Sequence, residues 1–172
     1  KYSKHMQRIM AGLHFDIISL NTRGLGDFTK RRKIFNYAKK HVSSRGIIFL
    51  QETHSVQKNE KVWTNQMGLG KGSIIFSHGK SDARGVLIAF RENTIYKIIE
   101  QHVDNNGRFI VLNAVIDNNP LVLINYYAPN VESDQLKVLD EINKITDQLD
   151  IEENTTYIWG GDFNLFFDIN LE

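Results

Sequence analysis

The sequence predicts an α/β (α+β) domain in which two mixed β-sheets pack together under flanking helices. Three observations carry this reading. The chain opens with a strand, a helix and a strand, the start of a layered α/β pattern. Five apolar, strand-like runs then follow with only short polar gaps between them, which reads as an antiparallel meander. Two stretches with helical apolar spacing lie beside these blocks, at 30–42 and 135–149, and supply the covering layers.

Taken in order, "FDIISLN" (15–21) is a buried strand, rich in β-branched residues and followed by the Gly24–Gly26 turn. Residues 30–42 place apolar side chains at 34, 35, 38 and 42, a helical stripe. "GIIFLQE" (46–52) is a second buried strand. "SIIFS", "GVLIAF", "TIYKIIEQHV", "RFIVLNAVI" and "LVLINYY" form the predicted meander, with "DNNG" and "DNNP" as its turns. Residues 135–149 return to helical spacing at 138, 142, 145 and 149, with Ser133 or Asp134 as the expected cap. Tyr157–Gly161 closes the series as a last strand.

With 172 residues, 41% hydrophobic and 24% charged, the chain is long enough for one domain with a real core. It has no cysteine, which excludes disulfides and thiolate metal sites. No apolar run reaches the roughly 18–20 residues of a membrane span, so no membrane partner is expected. Charge is unevenly spread: residues 1–45 carry a net +9 and residues 46–172 a net −8. A basic stretch beside an acidic site suits a phosphate backbone held near bound cations. On charge alone, "TKRRKIFNYAKKH" reads equally as a solvated helix face.

Four strands end in polar residues: at Asn21, at Gln51–Glu52, in "NYYAPN" (125–130) and in "GGDFN" (160–164). Ligand sites gather at strand termini of layered α/β proteins, where a rigid sheet aims the side chains. If the four ends converge, they bring together Asn21, Glu52, Tyr127, Asn130, Asp162 and Asn164. The firm ligand types in that set are carboxylate and amide oxygens, suited to Mg²⁺ or Mn²⁺ and not to Zn²⁺. Singly, each has a plainer account: Glu52 as a solvated terminus, "NYYAPN" as a turn, Asp162 as a loop cap. Gly160 and Gly161, following an apolar strand, point instead to close backbone approach or positive φ.

Together these segments resemble the endonuclease/exonuclease/phosphatase superfamily, and within it the endonuclease domain of non-LTR (LINE-type) retrotransposons. The resemblance is carried by "SLNTRGL", "LQETH", "ARGVLIAF", "NGRFIVLNA", "NYYAPN" and "GGDFN", six motifs in family order. It implies a four-layer sandwich and Mg²⁺-dependent nicking of nuclear DNA inside the cell, priming reverse transcription at the target. It makes Glu52 the metal-binding carboxylate and Asn21 the amide beside it in the metal site, and Tyr127 and Asn130 the contacts to the scissile phosphate. Asp162 orients or deprotonates the attacking water, and Asn164 holds a phosphate oxygen. Arg23, Lys30, Arg31, Arg32 and Lys33 are the expected DNA-backbone contacts, while no base-reading residue is assigned. "HGKSDARG" and "DNNG" read as surface turns.

The family pattern continues past "GGDFN" to a Ser-Asp-His that this sequence does not contain. The resemblance therefore implies a domain over 13–172 lacking its C-terminal strands, while residues 1–12 read as an N-terminal extension or cloning remnant. Its nicking would then be weak or lost. It also implies a parent polyprotein with a reverse transcriptase, and pairing of the incomplete sheet with another chain. Two other readings stay open: a superfamily phosphoesterase acting on lipid or inositol phosphates, and a non-catalytic nucleic-acid-binding remnant.

Overall fold

The computed structural model describes residues 15–164. Strand β1 (Ile17–Asn21) leads through helix α1 (Phe28–His41) to β2 (Ile47–Gln51). A 3₁₀ turn (Gln57–Asn59) and helix α2 (Glu60–Met67) precede β3 (Ile74–Ser77) and β4 (Val86–Phe90). Then come β5 (Tyr96–Val103), β6 (Phe109–Ile116), β7 (Asn119–Tyr127), helix α3 (Glu132–Gln148) and β8 (Thr156–Asp162). They form two four-stranded mixed sheets, ordered β1-β2-β4-β3 and β5-β6-β7-β8.

Period-2 alternation explains the layers. In β2, Ile48 and Leu50 face α1 and α2, while Ile47 and Phe49 face the second sheet. In β7, Leu121 and Leu123 enter the space between the sheets, and Val122, Ile124 and Tyr126 pack toward α3. Strands covered on both faces read as continuous apolar runs. The result is the expected four-layer sandwich, helices–sheet–sheet–helix. Each fully buried Ile or Leu contributes about 1.5–3 kcal/mol to it.

The predicted single meander is corrected. β3 and β4 belong to the first sheet, and only β5, β6 and β7 form an antiparallel meander. β4 has both edges filled, by β2 and β3, so the strand that follows cannot pair with it, and the chain crosses to the second sheet. It is held at the exit by Arg91, whose Nη1 donates to Lys39 O (2.8 Å) and Val42 O (2.6 Å) at the end of α1. Those are carbonyls that a helix C-terminus leaves unpaired. Asn93 N and Thr94 Oγ1 bond Ser44 O (2.9 Å) and Gly46 O (3.1 Å) in the same connection.

Two further details differ from the sequence reading. α3 starts earlier than expected, after Val131, and neither Ser133 nor Asp134 caps it through its side chain; both lie inside its first turn. A third helix, α2, is not predicted, because its eight residues give little periodicity. Its marks are Trp63 and Met67, four apart and both buried, and Gly68, which closes it with φ 67°. Asp27, by contrast, caps α1, its Oδ1 accepting from Lys30 N at 2.7 Å.

Candidate active site

Both sheets contain a parallel pair, β1 with β2 and β7 with β8. Parallel pairing puts the C-terminal ends of both members on one side. The packing of one sheet on the other then sets Asn21, Glu52, Tyr127 and Asp162 around one point. The alignment depends on a buried amide pair. Gln51 Nε2 donates to Asn125 Oδ1 (2.7 Å), and Asn125 Nδ2 donates to Leu50 O (3.2 Å) and Leu87 O (2.7 Å). Gln51 immediately precedes Glu52 and Asn125 lies two residues before Tyr127, so this pair ties the two site-bearing ends together.

Backbone geometry sharpens the turn at each end. Glu52 has φ 49°, Arg23 φ 48° and Asn164 φ 46°, an uncommon conformation for non-glycine residues that clusters at functional sites. The glycines before Asp162 show the close approach expected of them. A β-carbon on Gly160 would collide with the Phe49 ring, and one on Gly161 with the Tyr126 backbone.

Asn21 is the hub. Its Nδ2 donates to Glu52 Oε1 (3.0 Å) and Asp162 Oδ2 (2.5 Å), so one amide bridges two carboxylates 110 positions apart in the chain. Its Oδ1 accepts from Arg23 N (3.0 Å), which fixes the amide's orientation. Asp162 Oδ1 accepts from Asn164 N (3.1 Å). Asn164 Nδ2 donates to Ala128 O (2.7 Å) and Asn130 Oδ1 (3.2 Å). Five of the six expected site residues therefore belong to one hydrogen-bonded group, and the Tyr127 phenol faces the Glu52 carboxylate beside it.

Burial, then the bond to the Glu52 carboxylate and its charge, push the Tyr127 phenol up to about 12. Tyr127 is thus a neutral donor at ordinary pH and not a base. Because the folded state favours the protonated phenol, its contribution to stability is complete below about pH 10, the unfolded value, and is lost as pH rises toward 12. Subtracting the ultraviolet titration of Tyr127→Phe from that of the wild type is expected to leave one phenol ionising near pH 12. A difference centred near the unfolded value of about 10 would contradict the arrangement.

The carboxylates have oxygen neighbours and neutral donors. Among the described residues no group of three His, Cys, Asp or Glu side chains converges. That donor set fits Mg²⁺ or Mn²⁺, which often take only one or two protein carboxylates and keep waters for the remaining positions. Glu52 would hold it, with Asn21 beside it turning its Nδ2 toward the two carboxylates and its Oδ1 toward Arg23 N.

The expected DNA contacts divide. Arg23, Arg32 and Lys33 are exposed, with Arg23 next to the hub. Lys30 Nζ donates to Arg23 O (2.6 Å) and so supports that turn. Arg31 is different: it is 7% exposed and donates to Leu25 O (2.6 Å), Gly26 O (3.0 Å) and Gln66 Oε1 (2.6 Å). Its guanidinium also lies 5.3 Å from the Trp63 ring. Arg31 therefore joins α1 to α2 and has no free face for a phosphate. Standing three and four residues before Ile34 and Phe35, it shares the buried face of α1.

Outside the hub an open cleft of about 450 Å³ is lined by Glu52, His54, Arg84, Arg108, Tyr127 and Asn130, with Asp82 and Asp134 also on its walls. Arg84 and Arg108 are not assigned from the sequence, although both lie in quoted motifs, "ARGV" and "NGRF".

No protein-family model matches the sequence. Solved structures match most of it. Zebrafish (D. rerio) TDP2 complexed with a single-strand DNA product is 19% identical, with TM-score 0.63, over 88% of this chain and 61% of that one. An AP endonuclease from Archaeoglobus fulgidus is 19% identical, with TM-score 0.55, over 87% and 57%. An endonuclease/exonuclease/phosphatase family protein from Bacteroides thetaiotaomicron is 12% identical, with TM-score 0.59, over 87% and 63%. The chain spans less than two thirds of each of these neighbours. What it shares with them is the endonuclease/exonuclease/phosphatase fold.

Proposed function

We propose that this chain, folded as the endonuclease/exonuclease/phosphatase proteins are, is a divalent-metal-assisted phosphodiesterase that nicks DNA. The observation that carries the proposal is the single Asn21 amide bridging Glu52 and Asp162. Two acids held this close, with no cation side chain paired to either among the described residues, are an arrangement that suits a hard divalent ion and a phosphate. When bound, such an ion supplies charge stabilisation to the phosphate and the leaving oxygen. The single-strand DNA product bound by the TDP2 neighbour and the basic N-terminal third of this chain favour a polynucleotide substrate.

The residues divide the work. Asp162, which accepts from Asn21 and Asn164 N, is kept an aimed carboxylate and takes the proton of the attacking water. Tyr127 gives a neutral hydroxyl to the phosphate side of Glu52. Asn164 spends its amide hydrogens on Ala128 and Asn130, so it positions Asn130, whose own amide is left to meet the phosphate. Arg23 stands next to the hub, and the exposed Arg32 and Lys33 on α1 offer further charge to the backbone of the strand.

In its finer form the proposal makes the chain the endonuclease part of a LINE-type retrotransposon polyprotein, acting on nuclear DNA to prime its reverse transcriptase. The six ordered motifs support this. The biochemical test is relaxation of supercoiled plasmid in Mg²⁺. Glu52→Gln is expected to lower the nicking rate by at least about 10²-fold, in the range typical for a positioned catalytic group. Equal rates would defeat the proposal.

A further inference from the structure

Arg84 and Arg108 reach the same wall of the cleft because three segments meet there without side chains between them. Gly85, at φ 91°, donates its N–H to Gly107 O (3.0 Å). A β-carbon on Gly85 would stand 2.6 Å from Thr53 Oγ1, and one on Gly107 would stand 2.7 Å from Gly85 N and 2.8 Å from His78 O. Only glycine allows this approach, and each glycine has one of the arginines as its chain neighbour. Arg84 O accepts from His54 N (2.8 Å), so its backbone is locked to the Glu52 loop. Arg108 stacks on Tyr127, its Cζ 4.9 Å from the ring centroid, and donates to Ala128 O (3.2 Å).

Both guanidiniums line the cleft beside Glu52, Tyr127 and Asn130. Among the described residues no ion pair includes either of them. Asp134, on the same cleft, is paired with Lys137 at 2.8 Å. Burial, and then the neighbouring charge of Arg84, hold the Arg108 guanidinium below its ordinary range. Two adjacent like charges in a half-buried wall are unfavourable until an anion lies between them, and guanidinium forks match phosphate geometry.

We propose that Arg84 and Arg108 form a subsite for a second phosphodiester of the DNA strand, next to the one held at Glu52 and Asp162. This rests on the reading of the site as a DNA phosphodiesterase. It extends that reading from one phosphate to the path of the strand, which leaves the hub past Tyr127 toward the "ARGV" and "NGRF" turns.

The test is the salt dependence of binding to a single-stranded oligonucleotide, measured by fluorescence anisotropy in EDTA so that no strand is cut. Removing one arginine–phosphate pair should reduce the slope of log K against log salt by about 0.7. Arg84→Gln and Arg108→Gln are each expected to show that reduction and to weaken binding about tenfold at low salt. Arg45→Gln, whose side chain pairs with Asp117 away from the cleft (3.1 Å), should keep the wild-type slope. Arg108→Gln also gives up the bond to Ala128 O, so Arg84→Gln, whose side chain makes no hydrogen bond among the described residues, is the deciding variant. An unchanged slope in Arg84→Gln beside Glu52-dependent nicking overturns the subsite and leaves the phosphodiesterase reading standing. Nicking indifferent to Glu52→Gln overturns that reading, and the subsite with it.

Discussion

Asp162→Asn is expected to slow plasmid nicking by about 10²–10⁴-fold, the range over which a positioned proton acceptor acts. The substitution is nearly isosteric, so Phe163 and the β8 backbone keep their places. What changes is acceptor capacity. Asp162 accepts from Asn21 Nδ2 through Oδ2 and from Asn164 N through Oδ1, whereas an amide offers a single acceptor oxygen. One of the two donors loses its partner, which costs on the order of 1 kcal/mol of stability and leaves the protein folded. A melting temperature lowered by a few degrees beside a rate lowered by orders of magnitude would separate chemistry from folding. A rate within about twofold of wild type would remove Asp162 from the reaction.

The largest stability effect is expected at Asn125. This residue is fully buried, with its oxygen taken by Gln51 and its two amide hydrogens by Leu50 O and Leu87 O. Asn125→Ala removes all three bonds from the space between the sheets. The Gln51 amide retains a bond to Ser19 Oγ (3.1 Å), and the two carbonyls belong to the β2–β4 ladder, so the loss is partial at each. Adding a small cavity, we expect a cost of about 2–4 kcal/mol, against a typical domain stability of about 5–15 kcal/mol. Urea denaturation with Gln51→Ala, Asn125→Ala and the double variant should give a coupling of about 0.5–3 kcal/mol. Additive losses would mean the two amides act independently and do not tie the site-bearing strand ends together.

The strands are legible because burial on both faces leaves unbroken apolar runs such as "IIFL" and "LVLI". Their partners are not legible: nothing in "GVLIAF" says that β4 will lie between β2 and β3. The helix at 60–67 is hidden because eight residues offer little more than two turns of periodicity. The polar residues at strand ends are visible for the opposite reason, since a carboxylate or amide just after an apolar run is conspicuous. Arg31 misleads because a charge in a basic run looks solvated until α2 packs over it and supplies Gln66 and Trp63.

From its sequence alone this protein was determined to be layered α/β, to offer carboxylates and amides but no thiolates, and to carry polar residues at the ends of buried strands. Those properties are local: they depend on alternation, composition and turn chemistry within a few residues. Only the tertiary structure decided that Asn21 bridges Glu52 and Asp162, that Asn125 joins the sheets, and that Arg84 and Arg108 share a wall. Each of those joins segments tens of residues or more apart, and is fixed by which strands run parallel and how the two sheets stack. A single sequence does not encode that in any short stretch.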